Sequence, residues 1–100
     1  MSQRKEGVVY VIAAPEVWRV KIGYTTESPQ TRLLQLQTAS PVPLVLVGSF
    51  PGSVRLERDL HAWFADKRRC GEWFDMGIVD EIDIARETIQ ECDDSGWSFR

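Results

Sequence analysis

The first part of the chain has a pattern of hydrophobic and polar positions that is typical of β-strands. Two segments rich in Val, Ile, Tyr and Trp, residues 7–14 and 17–24, are separated by Pro15 and Glu16. Apolar runs of this length around a short turn are typical of a β-hairpin. The pattern therefore predicts two antiparallel strands with the turn centred on Pro15 and Glu16.

This turn position determines which strand residues are paired. Tyr10 is expected opposite Lys21, and Val8 opposite Gly23, so all four share one face of the hairpin. Because side chains alternate along a strand, the other face carries only apolar residues. These are Val9, Val11, Val20 and Ile22. The face with the phenol and the ammonium is therefore predicted to be partly open, as the floor of a groove.

Helix signals and a third strand follow the hairpin. Ser28 before Pro29 is a typical helix start, and this helix is expected to run to about residue 38 or 39. Its apolar side consists of Leu33, Leu34 and Leu36. Ser40 before Pro41 ends it, because the residue before proline avoids the helical conformation. The apolar segment of residues 42–50, "VPLVLVGSF", is predicted as a strand.

Two further helices are predicted in the second half of the chain. One begins at Ser53 and ends near the basic residues 67–69, with an apolar stripe. A short extended piece, residues 71–75, precedes a helix from about Ile78 to Cys92, and residues 93–100 form a tail. The order β-β-α-β-α, then α, predicts one α+β domain over residues 1–100. Its helices are expected to pack on a small, mainly antiparallel, three-stranded sheet.

Composition places the chain among small globular domains. It has 100 residues, of which 43% are hydrophobic and 27% charged, an ordinary balance. No apolar run approaches the ~20 residues of a membrane span and no signal peptide is visible, so a cytoplasmic protein without membrane contact is expected. Cys70 and Cys92 are too few for a disulfide framework and match no zinc spacing, so reduced thiols are expected, with a structural disulfide as the less favoured alternative.

The net charge of −3 is unevenly divided along the chain. Residues 1–70 carry ten Lys and Arg against six Asp and Glu, whereas residues 71–100 carry two against nine. Screening limits the reach of the acidic segment to about 8–10 Å at physiological salt, so a basic surface can persist on the first part. The acidic total is therefore compatible with a nucleic-acid ligand.

Four short motifs follow one another along the domain after "VVY" at residues 8–10. They are "KIG" at 21–23, "RLLQLQT" at 32–38, "ERDLHAWF" at 57–64 and "GEWF" at 71–74. This series resembles the GIY-YIG nuclease superfamily, and most closely a compact phage and bacterial branch, over about residues 8–75. The resemblance implies an endonuclease that hydrolyses DNA at a groove on the sheet, with one Mg²⁺ or Mn²⁺ ion held by a glutamate.

The resemblance also implies catalytic roles for five residues. Glu57 corresponds to the metal-binding glutamate, and its hard oxygens suit Mg²⁺ or Mn²⁺. Arg32 corresponds to the helix arginine, whose planar guanidinium binds phosphate oxygens. Tyr10 corresponds to the tyrosine of the first motif, a hydrogen-bonding and proton-relay group. Lys21 is expected to be a phosphate-binding cation, and His61, one helical turn after Glu57, to relay protons or contact the phosphate.

Further positions are expected to contact the DNA substrate. They are Gly23, Tyr24, Lys67, Arg68 and Arg69. The three basic residues would follow a phosphate backbone, although such a cluster is usually only a solvated helix end. Without the family pattern, Glu57 and His61 would be an ordinary helix-surface pair. Trp73 and Phe74 are expected in the core more often than on a base-stacking surface.

Two features of the sequence leave other functions open. Many members of the superfamily have a tyrosine at the position of Lys21 and an asparagine late in the domain, whereas this chain contains no asparagine. One alternative is therefore a nucleic-acid-binding domain of the same fold without turnover. The other is a protein-interaction module that uses the acidic third helix and the tail with Trp97 and Phe99. A protein partner or a homodimer would allow one active site per chain to cut both strands.

Overall fold

The structure is a computed structural model that describes the backbone of residues 7–94 and the side chains of residues 7–91. Its elements are β1 (Gly7–Ala14), β2 (Arg19–Thr25), α1 (Pro29–Ala39), β3 (Val45–Gly52), α2 (Val54–Trp63), β4 (Arg68–Cys70), β5 (Trp73–Asp75) and α3 (Ile82–Asp94). Short 3₁₀ turns lie at Pro15–Val17, Ala65–Lys67 and Met76–Glu81. The predicted tail with Trp97 and Phe99 lies outside the described residues.

All strand pairs are antiparallel and form one sheet in the order β3-β1-β2-β5-β4. The predicted α+β class is confirmed, but the predicted three-stranded sheet is wrong because β4 and β5 extend it to five strands. Residues 68–70, expected at a helix end, form β4, which pairs with β5. Strands of three residues show too little alternation to be recognised in a sequence.

The β1–β2 hairpin is paired two positions away from the predicted register. Tyr10 lies opposite Gly23 instead of Lys21. The connection is longer than expected, because Pro15–Val17 form a 3₁₀ turn and Trp18 follows in the left-handed conformation, with φ of 57°. Since the shift is an even number of residues, Tyr10, Lys21 and Gly23 still lie on one face, as the alternation predicts.

One face of the sheet, here called the α2/α3 face, carries the main core. Its buried residues are Val9, Val11, Ala13, Val20, Ile22, Leu56, Leu60, Phe64, Phe74, Ile78, Ile82, Ala85 and Ile89. Burial of each large aliphatic or aromatic side chain in such a cluster contributes about 1.5–3 kcal/mol. The apolar side of α3 is therefore part of the core, and its acidic side faces outward. Phe74 is in the core as expected, whereas Trp73 is only half-buried.

The opposite face, here called the α1 face, carries Tyr10 and Lys21 and packs against α1. Tyr10 is 1% exposed, so the face expected to be an open groove floor is closed at β1. The predicted apolar side of α1 is also narrower than expected. Leu33 and Leu36 are half-buried, but Leu34 is 69% exposed.

The helix starts are formed by the predicted serines. The Ser28 hydroxyl accepts a hydrogen bond from the Thr31 N–H at 3.1 Å, and the Ser53 hydroxyl accepts one from the Leu56 N–H at 3.2 Å. Each serine thus satisfies one backbone donor that a helix leaves without a partner. The cap at Ser53 fixes the start of α2, the helix that carries two of the predicted site residues.

Two other predictions concern the cysteines and the membrane. Cys70 is an exposed free cysteine, and Cys92 lies outside the described side chains. Across residues 7–94, none of the helices has both the length and the apolar character that spanning a membrane requires.

Candidate functional site

Charged side chains from three separate segments lie near one another beside β2, at the point where its pairing with β5 ends. They come from Lys21 on β2, Glu57 and His61 on α2, and Glu72 just before β5. The Ile22 N–H donates to the Glu72 carbonyl oxygen at 3.3 Å, which holds the two backbones together. Lys21, Glu57, His61 and Glu72 are called the Lys21 cluster below. It brings together three of the five predicted catalytic residues.

Lys21 is a nearly buried cation. Its side chain is 11% exposed, and its Nζ is in direct contact with the carboxylate of Glu72. The same Nζ lies 5.9 Å from the centre of the Trp73 ring, a distance at which a ring face attracts a cation. An ammonium group has three donors, so the contact with Glu72 leaves donors for a phosphate oxygen.

The carboxyl group of Glu57 is harder to ionise at this site than in a free glutamate side chain. It lies in the first turn of α2 and is half-buried. Burial raises the pKa of Glu57 above its ordinary value of 4.5, and the Glu72 carboxylate nearby raises it further. Lys21 and His61 act in the opposite direction but do not cancel these effects. Two carboxylates that repel each other are an environment that a divalent cation would stabilise.

His61 connects α2 to the central strand. Its Nε2 donates to the Ile22 carbonyl oxygen at 2.8 Å, an arrangement that requires the proton on Nε2. The ring edge also packs on Phe74, with the ring centres 5.0 Å apart. These contacts fix α2 against β2, and Glu57, one turn earlier on the same helix, lies near enough to Lys21 for the lysine charge to act on its pKa. Nδ1 remains the nitrogen of His61 that can exchange a proton.

Tyr10 is enclosed on the α1 face, where it pairs with Gly23. A Cβ atom built on Gly23 would lie only 2.3 Å from the Tyr10 hydroxyl oxygen. The ring of Tyr10 therefore occupies the space that a side chain at position 23 would need. Gly23, expected to let a substrate backbone approach, instead makes room for this tyrosine.

Arg32 lines a separate polar cleft of about 490 Å³. The other lining residues are Tyr24, Thr25, Thr26 and Glu27. At about 3.3 Å per residue, the Tyr24 end of this cleft is roughly 10 Å along β2 from Lys21. The Arg32 Nη1 donates to the Gln35 Oε1 at 2.7 Å, and none of the four members of the Lys21 cluster lines this cleft.

The three predicted basic contacts lie on and beside β4 and are exposed. Arg69 forms an ion pair with Asp75 at 3.0 Å, and the Arg68 guanidinium lies 5.7 Å from the centre of the Phe74 ring. With strands about 4.8 Å apart, β4 is roughly 10 Å from β2 across the sheet. A role of Lys67, Arg68 and Arg69 in contacting DNA stays a prediction.

Few side-chain oxygen donors lie at this site for a metal ion. In the part of the chain that the structure describes, no group of three or more His, Cys, Asp or Glu side chains is arranged to hold a metal. Mg²⁺ in phosphoryl-transfer sites commonly takes one or two carboxylates, retains waters and uses substrate phosphates. Glu57, with Glu72 near enough to affect its pKa, provides such a minimal set. A structural zinc site would need four ligands and does not fit.

Glu72 is the member of the cluster that sequence reasoning did not assign. The "GEWF" motif drew attention to it, but its contact with Lys21 depends on β5 pairing with β2, which places Trp73 opposite Lys21. The sequence feature that pointed towards this contact was the predicted extended conformation of residues 71–75. The partner strand and its register could not be obtained from three residues.

Comparison with protein-family models gives one match. The model described as the T5orf172 domain matches residues 7–92. The matched range contains all five strands, the whole Lys21 cluster and most of α3. Neither the curated proteins nor the solved structures gave a match.

Proposed function

Since the chain belongs to the T5orf172 domain family, we propose that it is a metal-dependent endonuclease of the GIY-YIG type that hydrolyses DNA phosphodiester bonds. The observation that carries this proposal is the Lys21 cluster. It combines a fixed cation with a carboxylate whose pKa is raised by burial and by a second carboxylate. Hydrolysis of a phosphodiester requires stabilisation of negative charge on the phosphate, and such groups supply it.

In this proposal Glu57 holds Mg²⁺ or Mn²⁺, with Glu72 as a second oxygen donor. The bound ion would supply Lewis-acid stabilisation of charge on the phosphate oxygens. Ion binding would also compensate what raises the pKa of Glu57, its burial first and the repulsion from the Glu72 carboxylate second.

Lys21 and Arg32 act as the phosphate-binding cations. Lys21 is held by Glu72 and Trp73 before substrate arrives, so little side-chain freedom is lost when it contacts a phosphate oxygen. Arg32, in its open cleft near the end of β2, is suited to a neighbouring phosphate because its guanidinium can form two parallel hydrogen bonds.

His61 and Tyr10 have supporting roles in the proposal. His61 uses Nε2 to fasten α2 to Ile22, and its Nδ1 is the atom that would accept or donate a proton. Tyr10 is almost fully buried against Gly23 and shapes the floor below Lys21. We propose for Tyr10 a positioning role, which its burial supports, in place of a direct proton relay.

A second candidate function is DNA binding without cleavage. One observation favours it: in the structure the charge of Lys21 is already compensated by Glu72. If the Glu72 carboxylate served only to hold Lys21, Glu57 alone would remain as a carboxylate ligand for a metal ion, and metal binding would be weaker. The domain would then bind phosphates through its basic residues without accelerating hydrolysis.

Binding and cleavage measured on the same DNA distinguish the two functions. For Glu57→Gln we expect cleavage to fall by about 100-fold or more, the scale of losing a charge-stabilising group. DNA affinity should stay equal or increase, because the variant carries less negative charge. Glu87→Gln, an exposed position on α3, is the matched control and should behave as wild type. Tight binding with no cleavage by wild type on supercoiled, single-stranded or branched DNA would support the second function instead.

A further inference from the structure

A cleft of about 290 Å³ lies on the α1 face beside the Lys21 cluster. It is called the Trp73 cleft here. Its walls are mainly apolar and come from the first hairpin turn, the loop after α1, and β5. Its lining residues include Val17, Arg19, Val42, Leu44 and Trp73. Mostly apolar concave sites with a few placed polar groups are typical of ligand sites.

The cleft adjoins the proposed phosphate site through Trp73. Trp73 lines the cleft and is also the ring that Lys21 Nζ approaches at 5.9 Å. Trp73 is paired opposite Lys21 in the sheet, so the two side chains lie on one face. A ligand whose phosphate is bound by Lys21 would therefore have its neighbouring group at the entrance of this cleft.

The charge of the cleft is positive. The Arg19 Nη1 donates to the carbonyl oxygens of Val17 and Trp18, which leaves the guanidinium charge uncompensated by these contacts. Asp75 lies opposite Arg19 in the sheet, but its carboxylate is occupied by Arg69 and by the Gly77 N–H. An apolar cleft with an indole wall and one cation matches a group that is flat and apolar and is attached to an anion.

Resting on the proposed function, we infer that the Trp73 cleft receives an unpaired nucleobase next to the phosphate bound at Lys21. In a continuous duplex both faces of a base are stacked on its neighbours. Only a flipped, flapped or single-stranded base can present a face to an indole. The inference therefore assigns the substrate class: DNA with an unpaired nucleotide beside the cleaved bond, as in branched, flapped or single-stranded forms.

The test compares the affinity for a forked duplex with that for a fully paired duplex of the same sequence, in EDTA. The forked DNA carries 2-aminopurine as its unpaired base. Wild type should bind the fork about tenfold or more tightly, the scale of stacking one base on an aromatic ring, and should quench the 2-aminopurine fluorescence. Trp73→Leu should lose the preference and the quenching. Trp63→Leu on α2 removes an indole elsewhere and should keep both.

Val42→Asp provides a second variant in case Trp73→Leu does not fold. It introduces a carboxylate into the cleft and leaves the Val42 carbonyl oxygen, which accepts from Gln37 and Ser40, in place. It should lose the preference for the fork and retain binding to the duplex. A preference that persists in both variants, or equal affinity of wild type for fork and duplex, would overturn the inference.

The other outcomes separate this inference from the proposed function. A fork preference that depends on Trp73, in a protein that cuts no DNA, would retain the inference and reject the nuclease. Cleavage without any fork preference would retain the nuclease and reject the inference. The absence of all DNA binding would reject both. A dimer in sedimentation that Val42→Asp dissociates would assign the cleft to a second copy of the chain, which would also overturn the inference.

Discussion

At the scale of single residues, two tyrosine–glycine contacts show how the sheet uses its glycines. The ring of Tyr10 fills the position above Gly23, and the ring of Tyr24 fills that above Gly7 on the other face. The two contacts differ in what can move. Tyr10 is 1% exposed and enclosed, whereas Tyr24 is half-buried and has space to turn. Position 23 should therefore tolerate a side chain much less than position 7.

Gly23→Ala should destabilise the fold. The new Cβ atom would lie 2.3 Å from the Tyr10 hydroxyl oxygen, and the enclosed ring cannot give way. We expect a loss of about 1–3 kcal/mol in the free energy of unfolding, the usual cost of overpacking a core. Gly48→Ala is the matched control, because no atom lies within 4 Å of its Cβ position. Unfolding in urea measures both, and equal stability of the two variants would contradict the account.

Glu57 gives the site a pH-dependent cost in stability. Its pKa is raised in the folded protein, so folding is disfavoured by its ionisation. This cost is absent below the ordinary pKa of about 4.5 and develops as the pH rises through the folded pKa. Glu57→Gln should thus melt at a higher temperature than wild type at pH 7–8, and the difference should vanish towards pH 4. A difference independent of pH, or a less stable variant at pH 8, would contradict it. Glu87→Gln should show no such trend.

At the scale of elements, the sequence predicts the features that depend on the alternation of side chains along a strand. The alternation in β1 and β2 correctly places Tyr10, Lys21 and Gly23 on one face. The register itself is not encoded in that alternation, because Trp18 adopts a left-handed conformation that a residue with a side chain seldom adopts. The three-residue strand β4 was missed and β5 was expected only as an extended piece, since β5 exists through pairing with β2, and β4 through pairing with β5, and not through their own pattern.

The start of α2 is the element feature that places Glu57. The Ser53 hydroxyl accepts the Leu56 N–H at 3.2 Å, so Ser53→Ala leaves that donor without its cap. We expect a loss of about 1 kcal/mol in the free energy of unfolding, within the range of such caps. Ser49→Ala, at an exposed position on β3, should change stability by less than about 0.5 kcal/mol. Denaturant titrations of both variants test this, and a silent Ser53→Ala would show that the cap does not hold the helix.

At the scale of the whole molecule, the acidic charge of the second half is placed mainly away from the α1 face. The apolar side of α3 enters the core, so its acidic side points outward from the α2/α3 face. The protein-interaction alternative would have to use this outer side, because the rest of the helix is buried. Lys21, Arg19 and Arg32 lie on or near the other side of the sheet. The acidic side of α3 and these three cations thus lie towards opposite faces of the sheet.

The site shows the same division between what a sequence can and cannot provide. The motifs predicted Lys21, Glu57 and His61, and the structure brings these together in one cluster. They did not predict that Glu72 compensates Lys21 or that Tyr10 is enclosed. The first depends on the pairing of β5 with β2 and the second on packing over the α1 face, and long-range contacts of these kinds leave no local signal.

The most direct test of the central claim is the rate at which the purified protein nicks supercoiled plasmid as a function of Mg²⁺ concentration, with Glu57→Gln measured beside it. We expect a nicking rate that rises with Mg²⁺ concentration and drops to zero in EDTA. In Glu57→Gln the rate should be lower than in wild type by about 100-fold or more. Nicking that is independent of metal, or equal in the two proteins, would contradict the assignment of Glu57 to the metal and with it the proposed mechanism.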